Sequence, residues 1–187
     1  MKWIEVTIKP ETQKKCIDFV EAVYRTNKKT YKGRGQLDIA KIKKDIYRGK
    51  IAEYAVYEHY KNKLKFENVT EPDISVYSTS KKSYDSDIVA VHNSVEYKMH
   101  IKSQHIYQAE NFELSWSFQK NDPLVFNPLP TDYIVACLLL SDKRVIIYHP
   151  IKARHVVEKY KKPKLARLQH TKVVLYGKDI GIELGSR

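Results

Sequence analysis

The stretch YKMHIKSQ, residues 97–104, places Lys98, His100, Lys102 and Gln104 at every second position. That spacing puts side chains on one face of a β-strand. Two ammoniums, an imidazole and an amide in one row could grip a phosphate backbone, enter a metal site, or solvate a strand edge. An isolated acidic stretch, YDSDIVAV, precedes the row and supplies Asp87. If Asn93 and Ser94 form a two-residue hairpin turn, residue n of the first strand faces residue 187 − n of the second. Asp87 then lies opposite His100, with Cβ atoms roughly 5 Å apart, and Lys102 follows on the same face. By the same count Glu96 faces Val91, roughly 13 Å from Asp87 at ~3.3 Å per residue, too far to share a metal ion with it.

The elements that position these residues follow from periodicity. A short strand is expected around Trp3 to Ile8, then a helix from Pro10 that buries Cys16, Ile17, Phe19, Val20, Val23 and Tyr24 and ends near Asn27. The segment RTNKKTYKGRG, with its two glycines, reads as a flexible basic loop. A long helix is predicted from about Leu37 to Lys61, with Gly49 as its weak point. Strands follow at ISVYS, DIVAV and SVEYKMHIKSQ, and another around FELSWSF. DYIVACLLL is continuously apolar, as a central strand covered on both faces must be. RVIIYHP is its hairpin partner, IKARHVVEKY a short helix, and TKVVLYG and IGIEL the last strands. This order gives an α/β class fold: a single domain over 1–187, built as an α/β/α sandwich around a mixed central β-sheet.

Composition bounds the partners. The chain has 187 residues, a net charge of +12 and a pI of ≈ 9.5, and a surplus of Lys and Arg attracts a phosphate backbone through counterion release. Lys28, Lys29, Lys32 and Arg34 form one basic cluster, and residues 152–172 form another, with eight Lys or Arg against the single acid Glu158. Cys16 and Cys137 lie far apart in apolar runs and read as reduced, buried thiols. No run is long enough for a membrane helix and no apolar leader begins the sequence, so a cytoplasmic protein is expected. Trp116 and most of the fourteen tyrosines are expected in the core.

SDIVAVHNSVEYKMHIKSQ, with Asp87 at the start of one strand and His100-Ile101-Lys102 on the returning one, resembles the core of the PD-(D/E)XK nuclease superfamily. The upstream stretch GKIAEYAVYEHY is similar to the helix that supplies a further carboxylate in that family, here Glu53. The resemblance covers residues 49–104 and implies a restriction-endonuclease-like fold hydrolysing DNA with Mg²⁺, for which Mn²⁺ substitutes. Asp87 would bind the ion, Glu53 would support it, and Lys102 would hold charge on the pentacovalent phosphate. His100 stands where the family places Asp or Glu, so it is expected as a softer ligand, a water-orienting group or a base. Lys98 and Gln104 are expected at the DNA, together with Lys28, Lys29, Lys32 and Arg34. The literal Glu96-Tyr97-Lys98 is the reserve version of the motif, and Asp73 in EPDIS a literal Pro-Asp.

The chain is close to a bare catalytic core, without a zinc finger or a convincing helix-turn-helix. It resembles the small, cleavage-only subunit of a heterodimeric type IIS restriction endonuclease. That resemblance implies double-stranded DNA and a larger recognition subunit as partners. A homodimeric Holliday junction resolvase or repair nuclease, and a non-catalytic nucleic-acid-binding module, are the alternatives.

Overall fold

The computed structural model describes residues 3–33, 37–63, 66–77 and 86–184. Strand β1 (Trp3–Thr7) leads into helix α1 (Pro10–Gly33), which opens on a proline, carries Glu11 in its first turn and Lys32 in its last. The helix continues well past Asn27, and the expected basic loop is helical up to Gly33. Nothing between Arg25 and Lys32 breaks a helix. Asn27 also anchors the extension, because it is buried and its amide donates to the Tyr77 carbonyl at 3.2 Å. Helix α2 (Ile39–Tyr60) begins where the Asp38 side chain accepts the Lys41 N–H at 2.9 Å, and it runs through Gly49 without a break.

The remaining strands are β2 (Asn68–Val69), β3 (Ile88–His92), β4 (Val95–His105), β5 (Ser115–Gln119), β6 (Asp132–Leu139), β7 (Arg144–Tyr148), β8 (Ile151–Lys152) and β9 (Lys172–Tyr176). Short helices α3 (Ile106–Phe112) and α4 (Pro123–Phe126) flank β5. A seven-stranded mixed sheet has the order β1-β7-β6-β4-β3-β2, with β8 also on β6. The β4–β6 pair is parallel and the other pairs are antiparallel.

Helix α2 covers one face of the sheet, packing Ile51, Ala52 and Ala55 in the cluster that holds Ile88, Met99, Ile101 and Val135. The other face is covered by Trp116, Phe118 and Leu124 against Ile134, Ala136 and Leu138. Strand β6 is therefore buried on both sides, as its apolar run requires. The second covering layer corrects the expected α/β/α sandwich. A two-stranded β5–β9 ribbon with α3 and α4 stands where long helices were anticipated.

Three local expectations also change. Residues 74–77 are not a strand, because the Asp73 carboxylate accepts from the Ser75 N–H at 2.7 Å and the Tyr77 hydroxyl at 2.8 Å, folding the backbone into a local turn. IKARHVVEKY forms β8 and two 3-10 turns in place of a helix. IGIEL is no strand; it follows a 3-10 turn that closes at Gly181, whose φ of 69° suits glycine. Both cysteines are buried and free. No helix among the described residues is long and apolar enough to cross a membrane.

Candidate functional site

The β3–β4 hairpin sets the site. Asn93 and Ser94 have φ of 49° and 59°, the signature of a type I′ turn, and the pairing runs from His92↔Val95 to Ile88↔Met99. This is the register counted from the sequence, and it sets Val91 opposite Glu96. Glu96 is exposed beside the turn.

At the other end the two strands differ in length. β3 starts at Ile88, whereas β4 continues to His105 with only β6 beside it. Asp87 stands at this opening. Its N–H donates to the Met99 carbonyl at 3.0 Å and its Oδ2 accepts the Ile101 N–H at 2.6 Å. In a continued ladder that N–H would bond the backbone of residue 86; the carboxylate has taken the place and is held in the sheet by a charge-assisted bond.

Glu53 comes from the helical layer. It lies on α2 between the buried Ala52 and Tyr54, and its Oε2 accepts from Lys50 Nζ at 2.5 Å. Lys50 is itself buried, donates to the Asp73 carbonyl at 2.7 Å, and sits 4.7 Å from the Phe19 ring centroid. Burial pushes the Glu53 carboxyl up to about 7, the negative charge of Asp87 adds to the rise, and Lys50 and Lys102 oppose it. Lys102 approaches from the far side of β4, its ammonium 5.4 Å from the Phe118 ring centroid. Glu53, Asp87 and Lys102 thus reach one sheet edge from three layers and act on each other through charge.

His100 does not join them. It is 7% exposed, and its Nε2 lies 3.2 Å from Asp132 Oδ1, while Asp132 Oδ2 accepts the Leu129 N–H at 2.7 Å. The expected ligand set of Asp87, Glu53 and His100 is therefore not assembled. Among the described residues no three His, Cys, Asp or Glu side chains are grouped to hold a metal ion. The reason is the parallel neighbour β6, whose first residue, Asp132, supplies an acid on the imidazole side of β4. With Ser86, Lys98, Asp122 and Leu124, this pair lines a cavity of about 540 Å³.

The other predicted residues scatter. Gln104 is 8% exposed and its amide is bound to the chain itself, donating to the Glu113 carbonyl at 3.0 Å and accepting the Ser115 N–H at 2.8 Å. Lys28, Lys29 and Lys32 are exposed along the end of α1, and Arg34 lies outside the described residues. Asp73 spends its carboxylate on Ser75 and Tyr77, away from any ion. Sequence reasoning missed Lys50 and Asp132. Lys50 was visible as a helical i, i+3 neighbour of Glu53; Asp132 required knowing that β6 lies beside β4.

The remaining donor set suits a hard cation at two positions only. Two carboxylates repel each other in a partly buried edge, and, among the described residues, Asp87 Oδ1 and Glu53 Oε1 accept no hydrogen bond. A divalent ion would relieve that repulsion and take both oxygens, which are the donors Mg²⁺ prefers. No protein-family model matches the chain, and no curated protein or solved structure matches it.

Proposed function

We propose that this chain is a metal-dependent DNA endonuclease subunit of the PD-(D/E)XK type, with Mg²⁺ held by Asp87 and Glu53 and replaceable by Mn²⁺. One observation carries the reading: two carboxylates repelling each other at an open sheet edge, with the Lys102 ammonium in the same field. The mixed sheet with α2 against one face, and the order helix, strand, hairpin, strand, are compatible with a restriction-endonuclease-like core.

The bound ion would acidify a water and neutralise charge on the scissile phosphate. Asp87, locked by the Ile101 N–H, offers a fixed oxygen. Glu53 is kept available as a carboxylate near neutral pH by its bond to Lys50. Lys102 stabilises charge that grows on the phosphate oxygens. His100, paired with Asp132, holds β4 against β6 in this reading and binds no ion. The net charge of +12 supplies non-specific attraction to double-stranded DNA. Strand cleavage at a defined place then depends on a larger recognition subunit, as in a type IIS restriction enzyme working in the cytoplasm.

The test is nicking of supercoiled plasmid with Mn²⁺ at high protein concentration, alongside calorimetric titration of the ion. Asp87→Ala is expected to lower nicking by about 10²–10³-fold and to abolish ion binding, while DNA affinity measured in chelator stays within a few-fold. Undiminished nicking by Asp87→Ala overturns the assignment. Preferential cutting of a four-way junction by the chain alone would instead favour a homodimeric resolvase.

A further inference from the structure

The β5–β9 ribbon does more than cover the sheet. Phe118 pairs with Val173 and Gln119 with Lys172, so the ribbon carries a lysine to the side of β4 on which Lys102 stands. Lys102 lies over Phe118, and the pairing that places Phe118 there places Lys172 one residue away on the opposite strand. Both lysines are half-buried, and neither forms an ion pair with a carboxylate among the described residues. With the Gln119 amide oriented to satisfy both its ends, its oxygen accepts from Lys172 Nζ at 2.8 Å.

We propose that Lys102 and Lys172 form a phosphate-binding pair that seats a DNA backbone phosphate beside the Glu53–Asp87 edge. The proposal rests on the nuclease reading for the identity of its ligand. Two ammoniums in one partly desolvated place repel each other, and a phosphate between them removes that cost while gaining two charge-assisted contacts. The Lys172 ammonium shows the strain: burial pulls its proton affinity below that of an ordinary lysine, the Lys102 charge adds to the effect, and Asp122 opposes it. Asp122 does not neutralise the pair. Its carboxylate is buried and caps α4 by accepting the Leu124 N–H at 3.1 Å. Among the ten basic residues of the last third that sequence analysis read as one diffuse patch or its neighbours, Lys172 is the one brought to the site by the ribbon's register.

The experiment is fluorescence anisotropy of a 20-base-pair duplex of random composition, in chelator, over a series of salt concentrations. Variants are Lys172→Gln, Lys172→Arg and, as control, Lys120→Gln, an exposed lysine whose N–H donates to the Thr171 carbonyl on the same ribbon. Lys172→Gln is expected to weaken binding several-fold and to reduce the slope of log affinity against log salt by about 0.9, the loss of one phosphate contact. Lys172→Arg restores most of the affinity, and Lys120→Gln changes little. Equal losses from Lys172→Gln and Lys120→Gln would mean an ordinary basic surface and would overturn the proposal. Calorimetric ion binding separates the two ideas. Lys172→Gln leaves it intact, whereas failure of the wild type to bind any divalent ion sinks the nuclease reading and not the phosphate pair.

Discussion

Two acid-containing clusters flank β4, and they are built on opposite principles. At the open edge, Glu53 and Asp87 are both carboxylates, and the cation bonded to Glu53 is Lys50. Between β4 and β6, Asp132 meets an imidazole on one oxygen and a backbone N–H on the other. The second cluster is matched within the chain and behaves as a joint between two strands. The first holds an excess of negative charge that only a proton or a bound cation balances. Perturbed groups of this kind concentrate where a protein binds and reacts, and satisfied buried pairs where it is held together.

The largest stability effect should come from breaking the first cluster's internal balance. Lys50→Met removes the ammonium from Glu53 and from the Asp73 carbonyl, leaving a buried acid beside Asp87 without its bonded cation. A loss of about 3–5 kcal/mol is expected at pH 8, read by chemical denaturation, and a smaller loss at pH 5, where Glu53 carries a proton. A loss at pH 8 below about 1 kcal/mol, within the range of an exposed ion pair, would show that this edge is not a low-dielectric place.

Protonation sharpens the same contrast with a slightly smaller effect. The Glu53 carboxyl titrates at about 7 in the folded chain against 4.5 ordinarily, so between those values the folded state holds a proton that the unfolded state has released. Stability from this group is full below about 4.5 and declines as pH rises to about 7, by on the order of 3 kcal/mol. Above that pH the contribution stays flat. Glu53→Gln should remove this part of the slope. In the wild type, a divalent ion at a hundredfold excess over its Kd should restore about 2.7 kcal/mol at pH 8. Identical pH slopes for wild type and Glu53→Gln would place Glu53 outside Asp87's field.

How much of this was legible depended on the range of each interaction. The hairpin register was readable because it is local: the turn at Asn93 and Ser94 fixes every pair back to Ile88. The amphipathic stripe of α2 and the doubly buried β6 were readable for the same reason, since periodicity reports burial of one segment at a time. The end of α1 was not. Its extension past Asn27 depends on a bond to Tyr77, which is 50 positions away in sequence. The ribbon layer and the fate of His100 were hidden likewise, because both follow from which strands lie side by side. Gln104 illustrates the limit: on its strand it resembles a ligand-facing amide, and only the path of the chain through Glu113 and Ser115 turns it into scaffold.

The smallest of these effects tests the matched cluster, and it decides what His100 is. His100→Phe keeps an aromatic ring in the site but offers Asp132 Oδ1 no donor, so an expected loss of about 1–3 kcal/mol in denaturation measures one unsatisfied buried acceptor. Ion binding by calorimetry should be unchanged, because the imidazole is aimed at Asp132 and the cation donors are on Glu53 and Asp87. Asp132→Asn provides the converse: the acceptor for the Leu129 N–H survives in the amide oxygen, the charge beside the imidazole is lost, and the ion affinity again stays put. If His100→Phe abolished ion binding while leaving stability intact, the imidazole would be a metal ligand, and the apparent division between a strained edge and a satisfied joint would have to be drawn elsewhere on β4.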